Sequence, residues 1–165
     1  MNFCKILVIQ FIVFLTSCHL QSGSSELKNT TFLAPHGEEI AVEIALLEHE
    51  QRQGLSGRKA ESFCQNCAML FYYHHDSTKN FWMIDTYMNL DIFFLDGDLR
   101  IVEIERQMPA HPGKEEPPTI ARTLPIFSRH VLEMRSDSPL SKKLEKGMKF
   151  QWKDPKIKKI LESEK

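Results

Sequence analysis

The sequence predicts an α+β, β-rich fold: a small barrel-like or strongly curled, mostly antiparallel sheet with one or two short helices. Three observations point there. Apolar and aromatic runs of strand length recur between residues 39 and 152, each bounded by turn-forming residues. Asp96-Gly97-Asp98 sets an Asp-Gly step between two such runs, a strong hairpin signal. Helix-compatible stretches are few and short, and a sheet with so little helical cover removes its edges by curling or closing on itself.

Each element follows in order. Residues 39–46 alternate imperfectly, with Ile40, Val42, Ile44 and Leu46 on one side, and read as the first strand. Residues 48–55 are charged and lack β-branched side chains, which suits a short helix ended by Gly54 and Gly57. Residues 68–73 and 80–85 are compact apolar and aromatic runs, both expected as strands. Residues 90–95 and 99–105 form the hairpin arms. Residues 108–118 carry four prolines and must be a loop. Residues 129–135 and 148–152 supply the closing strands, with a helical turn or two within 139–146 before Gly147. The basic tail from Lys153 is mildly amphipathic and is expected as a solvated helix or a frayed end.

The N-terminus carries a different kind of information. Lys5 precedes the apolar run 6–15, broken only by Gln10. At 1.5 Å per residue that run cannot span a hydrocarbon core of ~30 Å. It has the length and flanks of a signal-peptide core. Leu15-Thr16-Ser17-Cys18 resembles the lipobox of bacterial lipoproteins, an apolar residue and two small ones before a cysteine. The resemblance implies cleavage before Cys18, lipidation of its thiol and acylation of the new N-terminus; an ordinary secretory signal with a chance cysteine is the plainer alternative. Several acyl chains hold a protein to a membrane stably where one does so only marginally. The expected organisation is therefore a signal at 1–17, a lipidated tether at 18–37, one β-rich domain at 38–152 and the basic tail at 153–165. His19, where an aspartate would favour the inner membrane, leans the expectation towards the outer membrane. The destination is the cell envelope, facing periplasm or exterior, with the lipid as the link to the membrane.

Charge and cysteines narrow the function. Loss of Lys5 with the signal takes the net charge from −1 to −2. No basic stripe could neutralise a row of phosphates, so nucleic acid is not an expected partner. With Cys4 removed and Cys18 lipidated, Cys64 and Cys67 are the remaining thiols. Their spacing admits a local disulfide, as suits an oxidising compartment. It also admits a metal site, which would need two further ligands, of which His74 and His75 could readily supply only one. A thioredoxin-like redox pair would need a strand-to-helix setting that the apolar run after Cys67 does not offer. Reduced thiols remain a fourth state. Neither a metal nor a cofactor is expected.

Five segments taken together resemble one known family. In order they are Val42-Glu43-Ile44-Ala45, Gln51-Arg52-Gln53-Gly54-Leu55, Met69-Leu70-Phe71, Phe81-Trp82-Met83-Ile84-Asp85-Thr86 and Leu90-Asp91-Ile92-Phe93-Phe94. They resemble the family called domain of unknown function 192, over roughly residues 38–150. The resemblance implies a compact β-rich α+β domain and many exported or lipoprotein-like relatives, with no settled activity, cofactor or partner. The chain departs from the family pattern at Ser56 (usually Met), Ala68 (Gly), Ile84 and Asp85 (Lys and Asn) and Asn89 (Pro). Val131-Leu132-Glu133-Met134 follows its Val-Leu-Glu only briefly.

The side chains that invite a site are Arg52, Arg58, Trp82, Asp85, Thr86, Asp91 and His111. Asp91 stands inside an apolar strand, where a carboxylate is expensive unless paired. Arg52 or Arg58 is its expected partner, because a guanidinium can hold a carboxylate with two bonds. The outcome would be a clamp tying the first helix to the sheet, or a polar pocket with Asp85 and Thr86. Trp82, like Phe71, Phe81 and Met83, is expected in the core rather than in a ligand cradle. His111 sits in the proline-rich loop, either as part of a lid or as a solvated surface side chain. The expected function is an envelope lipoprotein that binds a small molecule or another envelope component without catalysis, leaving catalytic residues unassigned. The alternative is an uncharacterised hydrolase or modifying enzyme, with Asp85 or Asp91 as base and an arginine stabilising an anion. Its mark would be a carboxyl of raised pKa in a concave pocket that excludes water.

Overall fold

A computed structural model describes residues 28–163. The expected signal, Cys18 and the expected tether as far as residue 27 lie outside the described residues. The chain builds strands β1 Asn29–Leu33, β2 Glu39–Ala45, β3 Ala68–Phe71, β4 Ser77–Lys79, β5 Leu90–Leu95, β6 Ile101–Met108, β7 Ile126–Ser128, β8 His130–Arg135 and β9 Gln151–Trp152. Two helices accompany them, α1 Glu48–Gln53 and α2 Pro155–Ser163, with single 3-10 turns at Ala60–Ser62 and Ser141–Lys143.

Seven strands form a strongly curled half-barrel sheet in the order β6-β5-β8-β3-β2-β1-β9, with β4 and β7 as a separate two-stranded ribbon. Every neighbouring pair in the large sheet is antiparallel except β2 and β3, whose parallel pairing needs the crossover through α1. The two ends of the sheet are tied together. Ile101 N–H donates to Met148 O, Gly147 N–H to Ile101 O and Phe150 N–H to Leu99 O, each at 2.8–3.1 Å, and the same segment runs on into β9 against β1. Those bonds cover the backbone groups that an open edge would expose.

The central strands are buried on both faces, which is why β3 reads as an unbroken apolar run and β5 as one interrupted only by Asp91. Phe32, Ile40, Val42, Leu70, Phe93, Leu95, Leu132 and Phe150 belong to one core. Leu55, Phe63, Met69, Phe71, Met83, Ile92, Phe94 and Val131 belong to the other, covered by the segments that follow α1 and β4. The hairpin forms where Asp-Gly predicts it. Asp96 Oδ1 accepts from the backbone N–H of Asp98 and Arg100, and Leu99 takes a positive φ of 64° to complete the turn.

Four expectations need correction. The folded domain begins before residue 38, because Asn29–Leu33 pairs with β2. Asn29, Thr30 and Thr31 gave that strand no apolar alternation, so it read as tether. Residues 80–85 are not a strand: they make isolated bridges to Arg122 and His111, and Asp85 turns the chain at φ 53°. The loop after Met108 is accordingly less free than its prolines suggest, since its backbone ladders onto 81–86. The tail is helical as expected but not merely solvated, because Leu161 is fully buried in the first core. Among the described residues no helix is long and apolar enough to cross a membrane.

Candidate functional site

The sequence-predicted residues separate into three places. Asp91 shares the strand face of Phe93 and Leu95 and is buried. Its partner is neither Arg52 nor Arg58. Arg106 Nη1 donates to Oδ2 at 2.8 Å, Ser141 Oγ–H donates to Oδ2 at 2.6 Å, and the backbone N–H of Gln107 donates to Oδ1 at 2.8 Å. Arg106 also donates to the Ser141 and Leu144 carbonyls and lies 5.2 Å from the Phe93 ring. This satisfied clamp ties β5 to β6 and to the turn at Ser141–Lys143. Arg106 was missed because it lies across the hairpin, and the register that brings it to Asp91 contains a shift between Leu90 and Ile92 that no sequence pattern marks.

Asp85 and His111 hold loops together. Asp85 N–H donates to Gly113 O at 2.7 Å, its carbonyl accepts from Gly57 N–H at 2.7 Å, and Oδ1 accepts from Gly113 N–H at 3.2 Å. The carboxylate beside it raises the Tyr87 phenol's pKa. His111 is only 5% exposed, so it is no solvated surface histidine. It exchanges two backbone bonds with Thr86, and its Nε2 lies 3.0 Å from Glu115 O. Arg58 clasps Glu43 with both terminal nitrogens, at 2.5 and 3.0 Å, and stacks over Phe63. Asp85 and Asp91 therefore do not converge as an acid–base pair.

Arg52, Trp82 and Thr86 do come together, in a cleft of about 290 Å³ between the end of α1 and the segment 80–86. Trp82 is 49% exposed rather than core, with the Arg122 guanidinium 5.1 Å from its ring. Phe71, Tyr73 and Phe81 add aromatic walls, and Gln51, Gln53, Asn80 and Ser56 add polar ones. Gly54 is obligatory in this wall. At φ 47° it occupies backbone space that side chains rarely adopt, and a Cβ there would stand 2.9 Å from Phe71 Cζ.

Behind Gly54 lies a residue that was not singled out. Glu133 is 5% exposed, on β8 opposite Met69 and Ile92. Its Oε2 lies 4.0 Å from where that Cβ would be. Burial alone pushes its carboxyl up to about 8, with no cation or donor among the described residues to offset it. Burial together with the Glu133 charge raises the Tyr73 phenol to about 12. The signal was present in the sequence: Glu133 interrupts an apolar strand as Asp91 does. On the other face of β8 the His130 imidazole is driven down to about 3 by burial and by Arg129 and Lys79. Its Nδ1 accepts the Tyr73 N–H at 3.2 Å. Cys64 and Cys67 are joined as a local disulfide with Cα atoms 5.1 Å apart. Among the described residues no three His, Cys, Asp or Glu side chains gather in a way that could hold a metal.

Comparison with known proteins agrees with this architecture. Residues 31–152 match the model of the DUF192 family, described as an uncharacterised ACR, and the chain belongs to that family. No curated protein matches. A solved structure from Sinorhizobium meliloti 1021, described as a candidate transcription regulator, is 23% identical with a TM-score of 0.59; the match covers 75% of this chain and 92% of that one. At that identity the likeness concerns the fold. A protein of unknown function from Novosphingobium aromaticivorans DSM 12444 is 25% identical with a TM-score of 0.57, covering 75% and 84% of the two chains.

Proposed function

We propose that this chain is a lipid-anchored envelope protein whose domain binds a small ligand, or a protruding group of another envelope component, in the cleft between α1 and residues 80–86. The observation that carries the binding role is the cleft itself. It is concave, walled by four aromatic rings, and includes three of the side chains marked out by the sequence, Arg52, Trp82 and Thr86. Small-molecule sites combine apolar walls with a few fixed polar groups in this way. Leu15-Thr16-Ser17-Cys18 behind a short apolar core supports the anchor.

Two experiments test the two halves. The full chain is expressed in a bacterial host beside Cys18→Ser, and the mature products are weighed and partitioned between membrane and aqueous phases. A diacyl or triacyl mass on residues 18–165, lost in the variant, is expected; an unlipidated membrane-free product refutes the anchor. For the cleft, thermal-shift screening with small polar compounds is repeated on Ser56→Tyr, which fills the cavity. Hits on the parent chain that vanish in a folded variant are expected. Hits that survive the filling, or the lack of any, refute this site.

A further inference from the structure

We infer that the outward face of the β4–β7 ribbon lies on the lipid surface, sunk into the headgroup boundary of an anionic membrane. The inference rests on the lipid anchor, and not on what the cleft holds. β4 and β7 pair antiparallel, with Thr78 opposite Phe127 and Lys79 opposite Ile126. The pairing continues past the strands. Thr123 N–H donates to Phe81 O at 2.8 Å, Phe81 N–H donates to Thr123 Oγ1 at 3.0 Å, and Trp82 bridges to Arg122. Side chains of such a ribbon point to two sides. Lys79, Phe81 and Ile126 turn inward, Lys79 over the Tyr73 ring and the other two against the second core. Thr78, Asn80, Trp82, Arg122, Leu124 and Phe127 are exposed on the other side. Leu124 and Phe127, at 71% and 70% exposure, are the most exposed large apolar side chains among the described residues, and Trp82 shares their side.

Clustered exposed apolar side chains mark an interaction surface, and composition, charge and chain entry choose lipid as the occupant. A tryptophan with a guanidinium 5.1 Å from its ring is the pairing suited to a membrane boundary. The amphipathic indole sits at headgroup level and the arginine reaches the phosphates. The two arms, residues 76–82 and 122–129, carry Lys79, Arg122 and Arg129 against Asp76 alone, a net +2 in a chain whose total is −1. Anionic headgroups attract that face and repel the remainder. The anchor is attached on the same side. Lys28 enters the domain with its carbonyl accepting Ile44 N–H and its Nζ 2.9 Å from Glu50 of α1. Gln53 and Gly54, at the end of that helix, line both the hollow beside Lys28 and the cleft beside Trp82. Cys18 and Lys28 are ten residues apart. At full extension they span at most about 35 Å, no more than the width of a domain of this size. A lipid on Cys18 therefore holds the Trp82 side towards the bilayer.

The test uses the mature product of the full chain with Trp152→Phe, so that Trp82 alone reports. Its mass is recorded, and it is reconstituted into phosphatidylcholine vesicles with or without phosphatidylglycerol. Lipids brominated high or low on the acyl chain quench a tryptophan according to its depth. Trp82 emission is expected to shift to the blue and to be quenched more by the high bromines, because an interfacial face sinks only about 5–10 Å. Phosphatidylglycerol should deepen the quenching and added salt should weaken it. Leu124→Ser combined with Phe127→Ser should remove the quenching while the lipid keeps the protein on the vesicles, its fold checked by near-UV circular dichroism. A lipidated, vesicle-bound protein whose Trp82 is not quenched overturns the docking and leaves the anchor standing, as does quenching that survives the double variant. A blue shift without quenching, together with a dimer in detergent, gives the face to a second copy and overturns the docking. Equal quenching with and without phosphatidylglycerol strikes out the preference for anionic lipid. An unlipidated product that floats with the vesicles and is quenched removes the anchor and keeps the docking; one that does not float overturns both.

Discussion

Replacing Glu133 by Gln should stabilise the protein in alkali and leave it nearly unchanged in mild acid. The carboxyl titrates near 4.5 in an ordinary setting and is raised to about 8 in the fold. Below 4.5 both folded and unfolded chains hold the proton, so the group costs little. Between 4.5 and 8 the unfolded chain releases it while the native chain keeps it, and stability falls as pH rises. Each pH unit in that window removes about 1.4 kcal/mol, so the whole interval amounts to roughly 5 kcal/mol. Glutamine occupies the same volume and never ionises. Urea unfolding of both proteins at pH 5.5, 7 and 8.5, followed by tryptophan fluorescence with the disulfide kept oxidised, measures the difference directly. At pH 5.5 the variant should have gained only about 1 kcal/mol on the parent relative to pH 4.5. By pH 8.5 the variant should be ahead by about 3 kcal/mol relative to its standing at pH 5.5. Parallel pH profiles would refute the placement of an unpartnered carboxyl in the second core.

Other perturbations probe the surrounding structure. His130, held down to about 3, stays neutral while the unfolded imidazole charges below 6.5; stability should therefore fall as pH drops from 6.5 towards 3. His130→Asn should flatten that acid limb in the same urea series. Asp91→Ala leaves the Arg106 guanidinium without its carboxylate and should cost about 3–5 kcal/mol, read as a lowered urea midpoint. Asp85→Ala, which loses only backbone and Tyr87 contacts, should cost less than Asp91→Ala in that assay. Gly54→Ala forces a methyl to within 2.9 Å of Phe71 at a positive φ. It should destabilise by about 1–3 kcal/mol and perturb the cleft, visible as a shifted Trp82 emission maximum.

The parts of the fold legible in the sequence were those written in local periodicity or turn chemistry. The alternation of Ile40, Val42 and Ile44, the apolar runs of β3 and β5, the Asp96-Gly97-Asp98 turn and the glycine stop after α1 all depend on neighbours within a few residues. What escaped depends on partners far along the chain. β1 is a strand because β2 and β9 flank it, not because Asn29-Thr30-Thr31 favours extension. Residues 80–85 have the composition of a strand, but the left-handed turn at Asp85 and the pairing with 111–113 and 121–123 make them a strap across the second core. The site was half legible. Arg52, Trp82 and Thr86 do share a cleft, while Asp91 was rightly singled out as a buried carboxylate and wrongly partnered, because a hairpin register cannot be read one strand at a time. Glu133 satisfied the same criterion as Asp91 and was passed over. The strand order that sets it beside β3, under Gly54, is a property of the folded sheet.

The most direct test of the cleft as the binding site is a map of backbone amide shifts of the full chain in detergent micelles as a small polar compound that stabilises it in the thermal-shift screen is added. Shifts that grow saturably at residues 51–56, 71–73 and 80–86, with the Trp82 indole among them, are the predicted result. Saturable shifts gathered elsewhere, for instance around Asp91, Arg106 and Ser141, would contradict it.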